Sequence, residues 1–159
     1  MKATVKFTNI KCGSYNETLV KVEQCRLRAI SRSKTVLNIA LNLLVPVNNM
    51  KLHWQTKVWG NGYKPWLAEY KIDFCAFLRR ANHPAVKILY DAFKPFTNLN
   101  HTCPLVGNIY VKDMFWDVSN YTLPMPTGDY LIILNWVTSN KTRVFTNVYL
   151  SFKQDLISD

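Results

Sequence analysis

Apolar and polar residues alternate along residues 36–45. Leu37, Ile39, Leu41, Leu43 and Val45 fall on one face, and Asn38 and Asn42 on the other. A period of two predicts a half-buried strand. Residues 50–59 repeat it, with Leu52, Trp54 and Val58 facing in and Lys51, His53, Gln55 and Lys57 facing out. Residues 3–12 and 19–31 predict two earlier strands, joined through Gly13-Ser14-Tyr15-Asn16. Pro46-Val47-Asn48-Asn49 and Trp59-Gly60-Asn61-Gly62 read as turns. A fifth strand is expected at about 65–73, with Trp66, Ala68, Tyr70 and Ile72 on one side.

The period then changes. Pro84 follows Asn82-His83, and Val86, Leu89, Tyr90 and Phe93 follow at helical spacing. Proline in the first turn and one apolar stripe predict a short helix, closed by Pro95. Strands resume at about 108–116, 129–138 and 143–153, the last two forming a hairpin around Ser139-Asn140-Lys141-Thr142. Residues 130–137 are apolar on both faces except for Asn135. Such a strand is covered on both sides, or one side lines a cavity. Eight short strands and one helix predict an all-β, two-sheet sandwich. The 159 residues fit one domain, 1–159, with no repeat or linker.

Composition sets the compartment. With 48% hydrophobic residues the chain is not a disordered one, and no run of about 18 apolar residues would span a membrane. Asn16, Asn100, Asn120 and Asn140 each begin an Asn-x-Thr sequon, and each falls where a loop or turn is expected. The even number of cysteines, Cys12, Cys25, Cys75 and Cys103, fits an oxidising compartment. Together these predict a secreted, extracellular glycoprotein. Residues 1–7 lack the apolar core of a signal peptide, which a secreted form is expected to have lost. Four cysteines allow three pairings. Cys12–Cys25 with Cys75–Cys103 is favoured, since the second bond would staple the helix-bearing excursion 76–102 at its base.

Charge and chemistry narrow the function. Residues 1–68 hold 11 Lys/Arg against 2 Glu, whereas residues 69–159 hold 9 Lys/Arg against 8 Asp/Glu. The excess marks either a solvated face or a surface for an anionic partner such as a membrane. Arg26, Arg28, Lys51 and Lys57 are the candidates for that contact. The basic residues are scattered along strands, and the cysteines fit the wrong compartment, so nucleic acid is excluded as partner. No Cys pair has zinc spacing and His101-Thr102-Cys103 alone is a weak signal, so neither metal nor cofactor is expected. Nucleophile elbow, phosphate loop and metalloprotease motif are all missing. Asp113 and Asp117 read as strand-edge and loop residues rather than an acid–base pair, and His53 and His83 as a solvated residue and a helix cap. The chain is expected not to be an enzyme.

Six short motifs occur in order: Lys6–Cys12, Cys25–Ala29, Asn61–Trp66, Cys75–Leu78, Asn98–Pro104 and Pro126–Tyr130. With the cysteines they resemble a large insect family of small secreted proteins of unknown function. That family is distantly similar to the ML (lipid-recognition) family, which includes the ganglioside activator; insect chemosensory B proteins are relatives. Phe74 departs from the resemblance, where a smaller residue more often precedes the third cysteine. The resemblance implies an immunoglobulin-like sandwich whose sheets splay around a lipid, and a chemosensory use. The residues agree, since a closed sandwich about 10 Å thick needs only its inner faces apolar. The expected function is binding of a hydrophobic small molecule: a lipid, sterol or cuticular hydrocarbon. The rival is a protein-recognition module with a filled core, acting through its surface at a receptor. The candidate pocket residues are Leu41, Leu43, Trp54, Trp66, Tyr70, Phe77, Leu89, Phe93, Ile132, Leu134 and Trp136.

Overall fold

In a computed structural model, residues 2–67, 69–118 and 125–155 are described. Four strands open the chain: β1 (Lys2–Ser14), β2 (Val20–Ala29), β3 (Thr35–Val47) and β4 (Lys51–Trp59). Two short ones follow, β5 (Tyr63–Pro65) and β6 (Tyr70–Asp73), then helices α1 (Phe74–Arg79) and α2 (Pro84–Phe93) and a 3-10 turn at Lys94–Phe96. The chain closes with β7 (Leu105–Met114), β8 (Gly128–Thr138) and β9 (Lys141–Asp155).

All pairings are antiparallel. One sheet runs β1-β9-β8-β4, with β5 and β6 both on the far edge of β4; the other runs β2-β3-β7. They face each other as the two layers of the expected sandwich. Phe7, Leu37, Leu52, Leu105, Tyr130, Leu150 and Phe152 form one buried cluster with Phe74, Phe77 and Val86 from the helices. Both favoured disulfides form. Cys12–Cys25 ties edge strand β1 of the larger sheet to edge strand β2 of the smaller one. Cys75–Cys103 ties α1 to the segment entering β7.

The expected strand at 65–73 is two pieces. The ladder to β4 ends at Pro65, with a last bond from the Trp66 N–H to the Thr56 carbonyl, and resumes at Tyr70. Between them Leu67 has φ +60°, a left-handed conformation that breaks an extended strand; Ala68 lies outside the described residues. Helix α1 was not anticipated. Asp73 caps it, its carboxylate accepting from the Ala76 N–H at 3.0 Å. Phe74, the departure from the family pattern, is the first residue of this helix and is buried against Phe77, Tyr90 and Trp136. The α2 start follows expectation: Pro84 opens it, and His83 Nδ1 accepts from the Val86 N–H at 3.3 Å.

Two further readings change. Pro46 and Val47 belong to the end of β3 rather than to the turn after it. Asn38, placed outward by alternation, is buried there, accepting from the Asp113 N–H at 3.0 Å. The apolar outer face of β8 is partly covered: Leu131 is buried beside Tyr149, whose ring meets Tyr63 at 5.7 Å.

Candidate functional site

The sheets do not close on each other. Between them lies a cavity of about 520 Å³. Its walls follow from strand alternation. Leu37, Ile39, Leu41 and Leu43 of β3 face Ile132, Leu134 and Trp136 of β8 and Val144, Val148 and Leu150 of β9, with Ile109 and Val111 of β7 beside them. One end is walled by Leu89, Ala92 and Phe93 of α2. Ile39, Leu41 and Leu43 point inward yet are only half-buried, because they face open space rather than packed neighbours. Thr146 is the buried polar group of this wall, and Trp136 Nε1–H donates to its hydroxyl at 3.2 Å, which satisfies both.

Where the wall meets solvent it is made by Val45 and Pro46 at the end of β3, by Asn48 and Asn49 just after it, by Ser139 of the β8–β9 turn, and by Tyr110. Ser139 and Asn140 have φ of 51° and 61°. This is the pattern of a two-residue type I′ hairpin turn, tighter than the four-residue loop expected.

The cavity brings together Leu41, Leu43, Leu89, Phe93, Ile132, Leu134 and Trp136 of the candidate pocket residues. Trp54, Trp66, Tyr70 and Phe77 do not line it. Trp54 meets Tyr70 in a tilted contact at 5.2 Å, Trp66 meets Tyr130 at 5.1 Å, and Tyr70 meets His83 at 5.1 Å. Phe77 lies between Phe74 and Tyr90. Beneath β4 the interior is filled by these rings, so the correct inward parity of Trp54 does not bring it to the void.

The four basic candidates do not converge. Arg26 and Arg28 project from the outer face of the β2-β3-β7 sheet, whereas Lys51 and Lys57 project from the outer face of the larger sheet. Arg28 is already engaged, donating to Asp113 at 3.1 Å. That bond, with help from Asn38, holds the Asp113 carboxyl below the usual carboxylate range. The depressed group contributes stability above its unfolded midpoint, about 3.9, and loses it as pH falls through the folded one. The pair is exposed, so the contribution is small. Arg28→Ala is expected to raise the Asp113 midpoint toward the ordinary value in a carboxyl NMR titration; an unmoved midpoint would exclude Arg28 as its cause.

Glu69 is similarly lowered, by hydrogen bonds from Gln55 and then His53, 3.0 and 2.7 Å away. Among the described residues no group of three His, Cys, Asp or Glu is placed to hold a metal ion, and no helix is long and apolar enough to cross a membrane. Asn16 sits in the β1–β2 loop, Asn100 is exposed before Cys103, and Asn140 is exposed in the β8–β9 turn; Asn120 lies outside the described residues.

Residues 50–132 match the family described as Protein of unknown function (DUF1091). The chain belongs to the DUF1091 family. The matched region of this DUF1091 chain takes in β4, both helices, the Cys75–Cys103 bond, β7 and the start of β8, and so one end and part of one wall of the cavity. Among solved structures, the crystal structure of a Niemann-Pick type C2 protein from Japanese carpenter ant is similar over 94% of this chain and 92% of that one, at 11% identity and a TM-score of 0.37. No curated protein matches the chain.

The sequence missed one residue of the DUF1091 cavity that alters its chemistry. Arg143 reaches the wall beside Thr138 and Ser139. Simple alternation with inward Val144 puts it on the outer face.

Proposed function

We propose that this DUF1091 chain is a secreted, non-enzymatic binder of a hydrophobic small molecule, a lipid, sterol or cuticular hydrocarbon, held between its sheets. The observation that carries the reading is the cavity. Its volume of about 520 Å³ is bounded almost wholly by aliphatic and aromatic side chains. That volume falls in the range of about 300–1,000 Å³ common for small-molecule sites. A filled sandwich would offer no such space, which sets the protein-recognition alternative behind this one. Apolar burial would supply affinity at about 25 cal/mol per Å², before the costs of association. Two disulfides and sequons on exposed loops support the extracellular assignment. Membrane or receptor contact, and a chemosensory use, would belong to delivery of the cargo.

Native mass spectrometry of the chain secreted from eukaryotic cells tests the proposal. A bound mass of a few hundred daltons is expected (typical of such ligands), lost after extraction with organic solvent. Protein that carries no such mass, and takes up none when offered lipid, would refute it.

A further inference from the structure

Arg143 is the single charged side chain among the described residues that line the cavity. It is there because of a β-bulge. Trp136 pairs with Val144 and Val137 with Thr142, so Arg143 is the extra residue of β9. An extra residue in one strand bends it and re-aims a side chain; an unbroken ladder would send this one to the outer face. Its Nε–H donates to Thr138 Oγ1 at 3.2 Å, which fixes the plane of the guanidinium. The two Nη groups have no partner, and no carboxylate lies within ion-pair distance, among the described residues. A permanent charge is thus held half-buried at the rim of an apolar cavity, with no balancing carboxylate among the described residues. Asn48, Asn49 and Ser139 bring further hydrogen-bonding groups to the same rim.

We propose that the ligand is a single-tailed amphiphile with a carboxylate head, the tail in the cavity and the head against Arg143. This rests on the cavity-binding reading and narrows it. One cation balances one negative charge, and the paired Nη groups match the two oxygens of a carboxylate. A neutral hydrocarbon or a sterol would leave the guanidinium uncompensated.

The test is equilibrium binding of oleate and of oleyl alcohol to the delipidated full chain, with a thermal melt of each variant. The unsubstituted protein is expected to prefer oleate by about tenfold or more, the size of one charged hydrogen-bonded contact. Arg143→Gln abolishes that preference by weakening oleate alone, and leaves the alcohol within about twofold. Arg143→Lys, which keeps the charge but not the fork, retains part of it. Raising the salt weakens oleate and not the alcohol. Equal affinity of the unsubstituted protein for acid and alcohol overturns the head-group assignment and spares the cavity reading. Equal losses of both ligands in Arg143→Gln do the same. Binding of neither ligand overturns both.

Discussion

A Cys75→Ala/Cys103→Ala double variant is expected to lose about 3–4 kcal/mol of stability, with the thermal midpoint falling by about 6–16 °C. The bond closes a loop across a sequence separation of 28 residues, and unfolded chains gain the freedom of that loop when it is cut. Inside the loop lies α2, which supplies Leu89, Ala92 and Phe93 to the cavity wall. Other contacts also hold it: the Tyr90 hydroxyl donates to the Leu99 carbonyl at 2.7 Å, and the Phe74, Phe77 and Tyr90 rings pack together. Ligand binding should therefore weaken along with the melt, because one wall of the site loses its anchor. Calorimetry of the unsubstituted protein and the double variant, both with Cys12–Cys25 intact, reads this directly. A midpoint that moves by no more than about 2 °C would mean that those ring contacts alone fix the helix.

Leu41→Trp is expected to abolish ligand uptake without unfolding the protein. In a closely packed core an added ring forces neighbours off their rotamers and costs about 1–3 kcal/mol. Leu41 sits in the middle of β3, paired with Ile109, and faces a void of about 520 Å³. The indole would enter space that is otherwise lined and unfilled, so the ligand-free midpoint should hold or rise, as cavity-filling changes commonly do by about 0.5–2 kcal/mol. Binding of a fluorescent fatty acid should fall by about tenfold or more, since the ring occupies the volume the tail needs. A strongly lowered midpoint with uptake retained would show that Leu41 packs against side chains and that the void lies elsewhere.

The strands were legible wherever one face met the interior and the other met water. In β3 the inward leucines and the outward Asn42 follow alternation because the cavity needs one apolar face only. The helix at 84–93 announced itself through Pro84 and its stripe. What stayed hidden has local causes. Helix α1, at six residues, is shorter than a window in which helical period becomes visible; its one signal was Asp73 at the cap. The break at Leu67 is a single backbone angle in a stretch that alternates correctly on either side. Alternation also gives the face of a residue and not its lateral place in the sheet. Trp54 and Leu134 are neighbours in register and share a face, yet only Leu134 borders the void. Arg143 was lost for a related reason, since one extra residue in β9 reverses parity locally, which no count along the sequence reveals.

The two sides of the cavity rim are built unequally. On one side Thr138 pairs with Lys141 around a two-residue turn, a closed hairpin with no slack. On the other, the β3–β7 ladder goes from Leu43–Gly107 directly to Val47–Leu105, and Leu44, Val45 and Pro46 bulge out exposed between those rungs. Pro46 has no N–H to give, and Leu44 donates instead to the Leu19 carbonyl of the neighbouring loop. Segments with few ladder bonds and little burial open at low free-energy cost. Exchange of cargo would then be paced by the fraying of three residues of β3, with the hairpin as the fixed jamb. Amide protons there should exchange with solvent long before those of Ile39 and Leu41, and loading should slow when that stretch is stiffened.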